Sequence, residues 1–169
     1  MNAYCFTSQI VIFDTTLRDG ELTPGVKFTI EQKIQLAQLL DAMGVDVIEV
    51  GYPGAFHKDI EALSKVCQHL KRSTICGLAG SNPQEVRDVA LAIQSATRGR
   101  IHIYTPVDTQ SQTRSTMDET LDLIRNSVKL ARNYREDVEW SAFNAPKSEP
   151  DFLCRSIETA IYHGATTIS

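Results

Sequence analysis

The sequence predicts an α/β protein built on a parallel sheet with right-handed crossovers. Short apolar, β-branched segments alternate strictly with amphipathic stretches of helical spacing through five units of about 25–45 residues each. The apolar segments are near-continuous rather than alternating, as in strands covered on both faces. Charged residues also gather just after the first apolar segment, at the end of the strand where parallel sheets and barrels collect their chemistry. Periodicity alone fits an open doubly wound sheet as well as a barrel. No G-x-G-x-x-G or G-x-x-x-x-G-K-[ST] run is present, so nucleotide binding through either loop lacks its fingerprint.

The first strand is expected over 9–13, Gln9-Ile10-Val11-Ile12-Phe13, buried on both faces. Asp14-Thr15-Thr16-Leu17-Arg18-Asp19-Gly20-Glu21 follows it and puts an arginine, acids and a glycine at the strand's C-terminal mouth. Thr29-Ile30-Glu31-Gln32 has the spacing of a capping box. A helical stripe then runs from Ile34 through Leu36, Ala37, Leu39 and Leu40 to Met43, and Gly44 ends it. The second strand, 45–51, carries Glu49 among apolar neighbours. An ionised carboxylate there needs a partner, and Arg18 is the best candidate.

Tyr52-Pro53-Gly54-Ala55 turns the chain into a helix over 59–70, with Ile60, Leu63, Val66 and Leu70 inward. A third strand over 74–79 leads to a helix with Asn82 as cap and Pro83 at its first position. The fourth strand covers 100–107. A polar loop over 108–115 then precedes a second capping-box pattern, Thr116-Met117-Asp118-Glu119, and a long helix to about 134. Strand five is expected over 138–143. Ser148-Glu149-Pro150-Asp151 opens a fifth helix closed by Gly164, and 165–169 begins a sixth strand.

Composition narrows the function classes. The 169 residues suit one domain with a real core, and the net charge of −4 comes without basic clusters, which argues against nucleic acid as a partner. No run of about 18 apolar residues suggests a spanning helix, and residues 1–8 lack the basic start and apolar stretch of a signal peptide. Cys5, Cys67, Cys76 and Cys154 form no C-x-x-C pair, which fits a reducing compartment. A cytoplasmic location is the expectation.

Leu17-Arg18-Asp19-Gly20-Glu21, followed by Lys33, resembles the first signature of the 2-isopropylmalate synthase and homocitrate synthase family of DRE-type TIM-barrel metallolyases. Three further stretches resemble the isopropylmalate synthase branch: Thr113-Arg114-Ser115-Thr116-Met117-Asp118-Glu119, Ala131-Arg132-Asn133-Tyr134 and Asp137-Val138-Glu139. Gly164-Ala165-Thr166-Thr167-Ile168 is similar to the family's entry to strand six. The resemblance covers nearly the whole chain and implies a (β/α)8 TIM barrel, with 1–169 forming an incomplete catalytic domain of strands one to five and the start of six. It implies a metal-dependent Claisen condensation of acetyl-CoA with a 2-oxo acid, 2-oxoisovalerate being favoured, as in leucine biosynthesis. Asp19 would be a ligand of a divalent Mg, Mn or Zn ion. Arg18 would bind substrate beside the reacting carbonyl, and Glu49 would complete the catalytic pair by orienting it. A homo-oligomer or a complementing chain is the expected assembly.

The resemblance is broken at specific places. The family's pattern has a glutamine where Leu22 stands, an acidic pair where Phe143 and Asn144 stand, a histidine at Asp108 and an arginine at Gly80. Its His-x-His metal pair belongs to a seventh strand, and by spacing none of His57, His69, His102 and His163 replaces it. The expectation is therefore a chain that is inactive alone. The alternative to an enzyme is a truncated or degenerate non-catalytic copy, or a partial barrel completed by another chain. The reverse reaction, a carbon–carbon lyase on the same barrel, is a further possibility within the enzyme class.

Overall fold

The computed structural model describes residues 10–110 and 114–169. Six parallel strands lie in the order β1 (Phe13–Asp14), β2 (Val47–Gly51), β3 (Thr74–Ala79), β4 (Gly99–Pro106), β5 (Asp137–Phe143) and β6 (Thr167–Ile168), each paired with its sequence neighbours. Helices α1 (Ile30–Met43), α2 (Lys58–Cys67), α3 (Pro83–Ala92), α4 (Arg114–Arg132) and α5 (Pro150–Tyr162) connect them. The strictly sequential order is that of a TIM barrel, and the sheet curls as part of one: Glu49 on β2 and His102 on β4 touch across β3.

The strand period of two divides the sheet's faces. Ile48 and Val50, Ile75, Ile101 and Ile103, and Val138 and Trp140 point outward and are all buried under the helices. The helices answer with Leu63 and Val66, Val86 and Val89, Ile124 and Val128, and Phe152. The core therefore lies between sheet and helices. The concave face carries polar groups instead, including Glu49, Arg100, His102, Glu139 and Ser141.

Local signals act as their chemistry requires. Thr29 and Gln32 form a reciprocal capping box, and Gly44 ends α1 at φ 87°. Asn82 caps α3, with Pro83 at its first position. Three expectations need correction. The first strand is two residues long, and Ile10 (81% exposed), Val11 and Ile12 stand in solvent, because backbone pairing with β2 begins only at Ile12 O. Helix α2 stops at Cys67, short of Leu70. Thr116 is not a cap: α4 already contains it, and its carbonyl accepts the Thr120 hydroxyl at 2.8 Å, an internal helical bond. The expectations resting on residues 1–9 and on Thr113 fall outside the described residues.

Candidate active site

The turn after β1 is wound tightly on one acceptor. Thr15 O receives the N–H groups of Arg18, Asp19 and Gly20 at 3.1, 2.8 and 3.2 Å, and Asp19–Leu22 form a 3-10 turn. This aims Arg18 inward. Its Nε donates to Glu49 Oε2 at 2.5 Å and its Nη1 to Asp19 Oδ1 at 2.7 Å. Glu49 is fully buried, and the guanidinium supplies the counter-charge that a dry carboxylate needs. Neither bond uses Nη2.

A second charge cluster fixes the same loop from behind. Lys33 of α1 is buried, and its Nζ reaches Glu21 Oε2 at 2.8 Å, Val50 O at 2.9 Å and Asp59 Oδ1 at 3.2 Å. Asp59 Oδ2 also accepts Tyr52 N at 2.8 Å, and Glu21 Oε1 accepts Phe28 N at 3.0 Å. One ammonium therefore ties the β1 loop to β2 and α2. Burial works against ionisation of Glu21, but the bonds from Lys33, Phe28 N and Lys58 outweigh it and hold the carboxyl below its ordinary range.

Glu49 uses its other oxygen on β4. Glu49 Oε1 lies 2.7 Å from His102 Nδ1, and His102 Nε2 lies 2.5 Å from Ser141 Oγ on β5. Phe13 meets the His102 ring edge-on, with centroids 6.2 Å apart. Spacing-based reasoning set His102 aside, but a signal was present. In Arg100-Ile101-His102-Ile103-Tyr104 the isoleucines face the helices, so arginine, histidine and tyrosine must face the barrel interior. Below His102, Arg100 pairs with Asp137 and Glu139, each at 2.9 Å.

Above this row opens a cavity of about 640 Å³ whose walls include Arg18, Leu22, Tyr52, His102, Tyr104, Ser141 and Phe143. Its polar rim has a fixed direction. Glu85 is held by Gly80 N at 2.8 Å and takes the Tyr52 hydroxyl at 3.0 Å, so the 3.0 Å contact between Tyr52 and Tyr104 has Tyr104 as donor. Burial and then these two bonds push the Tyr52 hydroxyl well above its ordinary range. Leu22 and Phe143, both departures from the family's pattern, form apolar wall where polar groups were expected. Among the described residues Asp108 bonds locally, to Gln110 N.

The divalent metal implied by the resemblance does not fit the groups present. Asp19 is more than half exposed and already bonded to Arg18, and among the described residues no histidine, cysteine or second acid joins it as a ligand set. A single carboxylate makes a poor cation site. Glu49, Cys76 and His102 do place one ligand atom each within 4.8 Å of one another, a set that could hold an ion. There, however, both Glu49 oxygens are already bonded, Arg18 is adjacent, and burial, then the charges of Glu49 and Glu139, raise the Cys76 thiol well above its usual range. Hydrogen bonds hold Glu49 and His102 in place here.

Comparison with known proteins agrees with the fold. Residues 9–169 match the HMGL-like family. The 2-isopropylmalate synthases of Methylorubrum populi and Rhodopseudomonas palustris are each 46% identical over 95% of the chain, and that of Variovorax paradoxus is 42% identical over 96%. The chain spans about a third of the length of these relatives (32%, 31% and 32%). Among solved structures, a 2,3-dimethylmalate lyase and the N-acetylneuraminate lyase of Proteus mirabilis superpose with TM-scores of 0.58. Their identities are 13% and 11%, over 94% and 95% of this chain and 56% and 55% of theirs, a likeness of fold alone. No described helix is long and apolar enough to cross a membrane.

Proposed function

The chain belongs to the HMGL-like family, and from that premise we propose that its 169 residues supply the 2-oxo-acid-binding part of a 2-isopropylmalate synthase-type condensation site. The observation that carries this reading is Arg18, held by the buried Glu49 on the wall of the cavity. In a Claisen condensation the methyl carbon of acetyl-CoA attacks the carbonyl carbon of the 2-oxo acid, and the carbonyl oxygen gathers negative charge. A guanidinium fixed beforehand beside that oxygen stabilises the charge without reorganising. Arg18 binds and polarises the carbonyl, and Glu49 positions Arg18. The apolar walls suit a branched aliphatic 2-oxo acid such as 2-oxoisovalerate, which would place the reaction in leucine biosynthesis in the cytoplasm.

Turnover is a separate matter. Asp19 alone does not make a cation site, so no step is assigned to a metal here. We infer that the chain binds the 2-oxo acid but does not condense it. The second reading, a non-catalytic copy or a partial barrel completed by another chain, is supported by Phe143 and Leu22 on the cavity wall. Calorimetric titration with 2-oxoisovalerate tests binding: heat that disappears in Arg18→Gln is expected, and no heat with the folded wild-type chain overturns the proposal. In a thiol assay with acetyl-CoA, 2-oxoisovalerate and Mg²⁺ or Mn²⁺, no release of CoA is expected. Release that is lost in Asp19→Ala would return the chain to the working enzymes.

A further inference from the structure

The geometry points to a second chemistry in the same cavity: Ser141, His102 and Glu49 form a nucleophile–base–carboxylate relay able to take an acyl group from a small activated ester or thioester. The links are 2.5 Å from Ser141 Oγ to His102 Nε2 and 2.7 Å from His102 Nδ1 to Glu49 Oε1. These are the contacts that define such a relay irrespective of fold or residue order.

Proton directions follow from the partners. In the relay the Glu49 carboxylate, which also takes Arg18, accepts from His102 Nδ1–H, and Nε2 faces the Ser141 hydroxyl, with Glu139 Oε1 3.8 Å from Nε2. With the proton on Nδ1, Nε2 presents a lone pair to the Ser141 hydroxyl. In this arrangement Ser169 is the donor in its 2.5 Å contact with Ser141, because the Ser141 proton points to His102. A second donor on Ser141 Oγ favours the charge that develops there. His102 is buried with both ring nitrogens engaged, so it cannot rotate out of line without losing two bonds. Ser141 is only half-buried and lies on the cavity wall together with Arg18, whose guanidinium would be the donor to an oxyanion.

The step balances with no further reagent. Ser141 Oγ passes its proton to His102 Nε2 and bonds to the acyl carbon, and the carbonyl π pair moves to oxygen beside Arg18. Collapse of this adduct breaks the bond to the thiolate or alkoxide, which leaves with the proton from His102. Water then attacks the acyl-serine with His102 again as base, releasing a carboxylic acid and restoring the serine. Leu22, Phe56 and Phe143 give the cavity an apolar wall, which fits a short aliphatic or aromatic acyl group. This chemistry needs no metal and no 2-oxo acid, so it stands or falls independently of the condensation reading.

The test is active-site labelling of the full chain with a fluorophosphonate, read by peptide mass spectrometry, alongside hydrolysis of 4-nitrophenyl acetate. Ser141 should be labelled far faster than any other serine, and the preference should vanish in denaturant. His102→Gln should slow labelling and hydrolysis by about 100-fold or more, the usual contribution of a general base, and Ser141→Ala should abolish both above background. Circular dichroism shows whether each variant keeps its fold. Glu49→Gln keeps the shape but donates where the carboxylate accepted, and should slow labelling while leaving Ser141 the labelled site. Labelling of Ser141 no faster than other serines, or an unchanged rate in folded His102→Gln, overturns the relay.

Discussion

Glu49 is the residue on which the interior depends. It answers Arg18 with one oxygen and His102 with the other, at zero exposure. Removing it leaves Arg18 with only the exposed Asp19 and takes the acceptor from His102, so Glu49→Ala should cost about 2–3 kcal/mol in denaturant unfolding. Glu49→Gln keeps the shape and should cost less. The Arg18–Glu49 contact was legible in the sequence because a lone acid in an apolar strand needs a cation, and one arginine stood at the neighbouring strand end. The link to His102 was not legible from ligand spacing, which searches along the chain, whereas strands two and four meet only across the curl of the sheet. Glu21 adds a pH dependence. Its carboxyl lies below the ordinary value of 4.5 in the fold, so its contribution is complete above that value and is lost as pH falls through the lower folded one. Thermal unfolding across the acid range should therefore fall more steeply for wild type than for Glu21→Gln. The thiols give a further test. Burial pushes Cys67 up to about 11 and Cys76 well above its ordinary range, while Cys154 is exposed. A thiol reagent at neutral pH should modify Cys154 promptly and the other two only on unfolding, as peptide mapping would show.

At the scale of elements, the amphipathic helices and buried strands were legible because two periods, 3.6 and 2, fix which side chains meet. The ends were less so. The β1 segment is as apolar as a central strand, but a strand extends only as far as a neighbour pairs with it, and β2 offers partners only from Ile12 onward. The Thr116 motif failed for another reason: a capping pattern fits wherever Ser or Thr precedes Glu by three, and here the helix begins upstream. Helix–sheet contact in turn sets what β3 tolerates. A Cβ on Gly77 would come within 2.7 Å of Val89 Cγ1 and 3.2 Å of Leu63 Cδ1, where α3 and α2 pack on the strand. Gly77→Ala should push both helices off the sheet and destabilise by about 1–3 kcal/mol, read as a lower denaturation midpoint. Gly25, with nothing within 4 Å of its missing Cβ, is a control for crowding: at φ 85°, alanine there would meet backbone strain alone.

The sheet formed by the described residues has two outer strands. Among the described residues β1 pairs only with β2, and β6 only with β5. Sheet edges are normally blunted by lysine, proline or a bulge. Here Ile10, Val11 and Ile12 lead into β1 at 81%, 53% and 53% exposure, without a lysine or proline among them. The concave face adds to this. It presents a cavity walled by Leu22, Phe56 and Phe143, exposed at 60%, 47% and 52%, beside buried charges that are satisfied only while the curl holds. Open backbone groups next to apolar surface favour pairing with another chain. The isolated 169-residue polypeptide should therefore associate with itself or with a chain that adds strands beside β1 and β6. Light scattering should report a mass that rises with concentration, and charge at the edge should suppress it, so Val11→Lys is expected to shift the distribution toward monomer. A monodisperse 18.8 kDa species that unfolds in one cooperative transition, unchanged by Val11→Lys, would show that these edges need no partner.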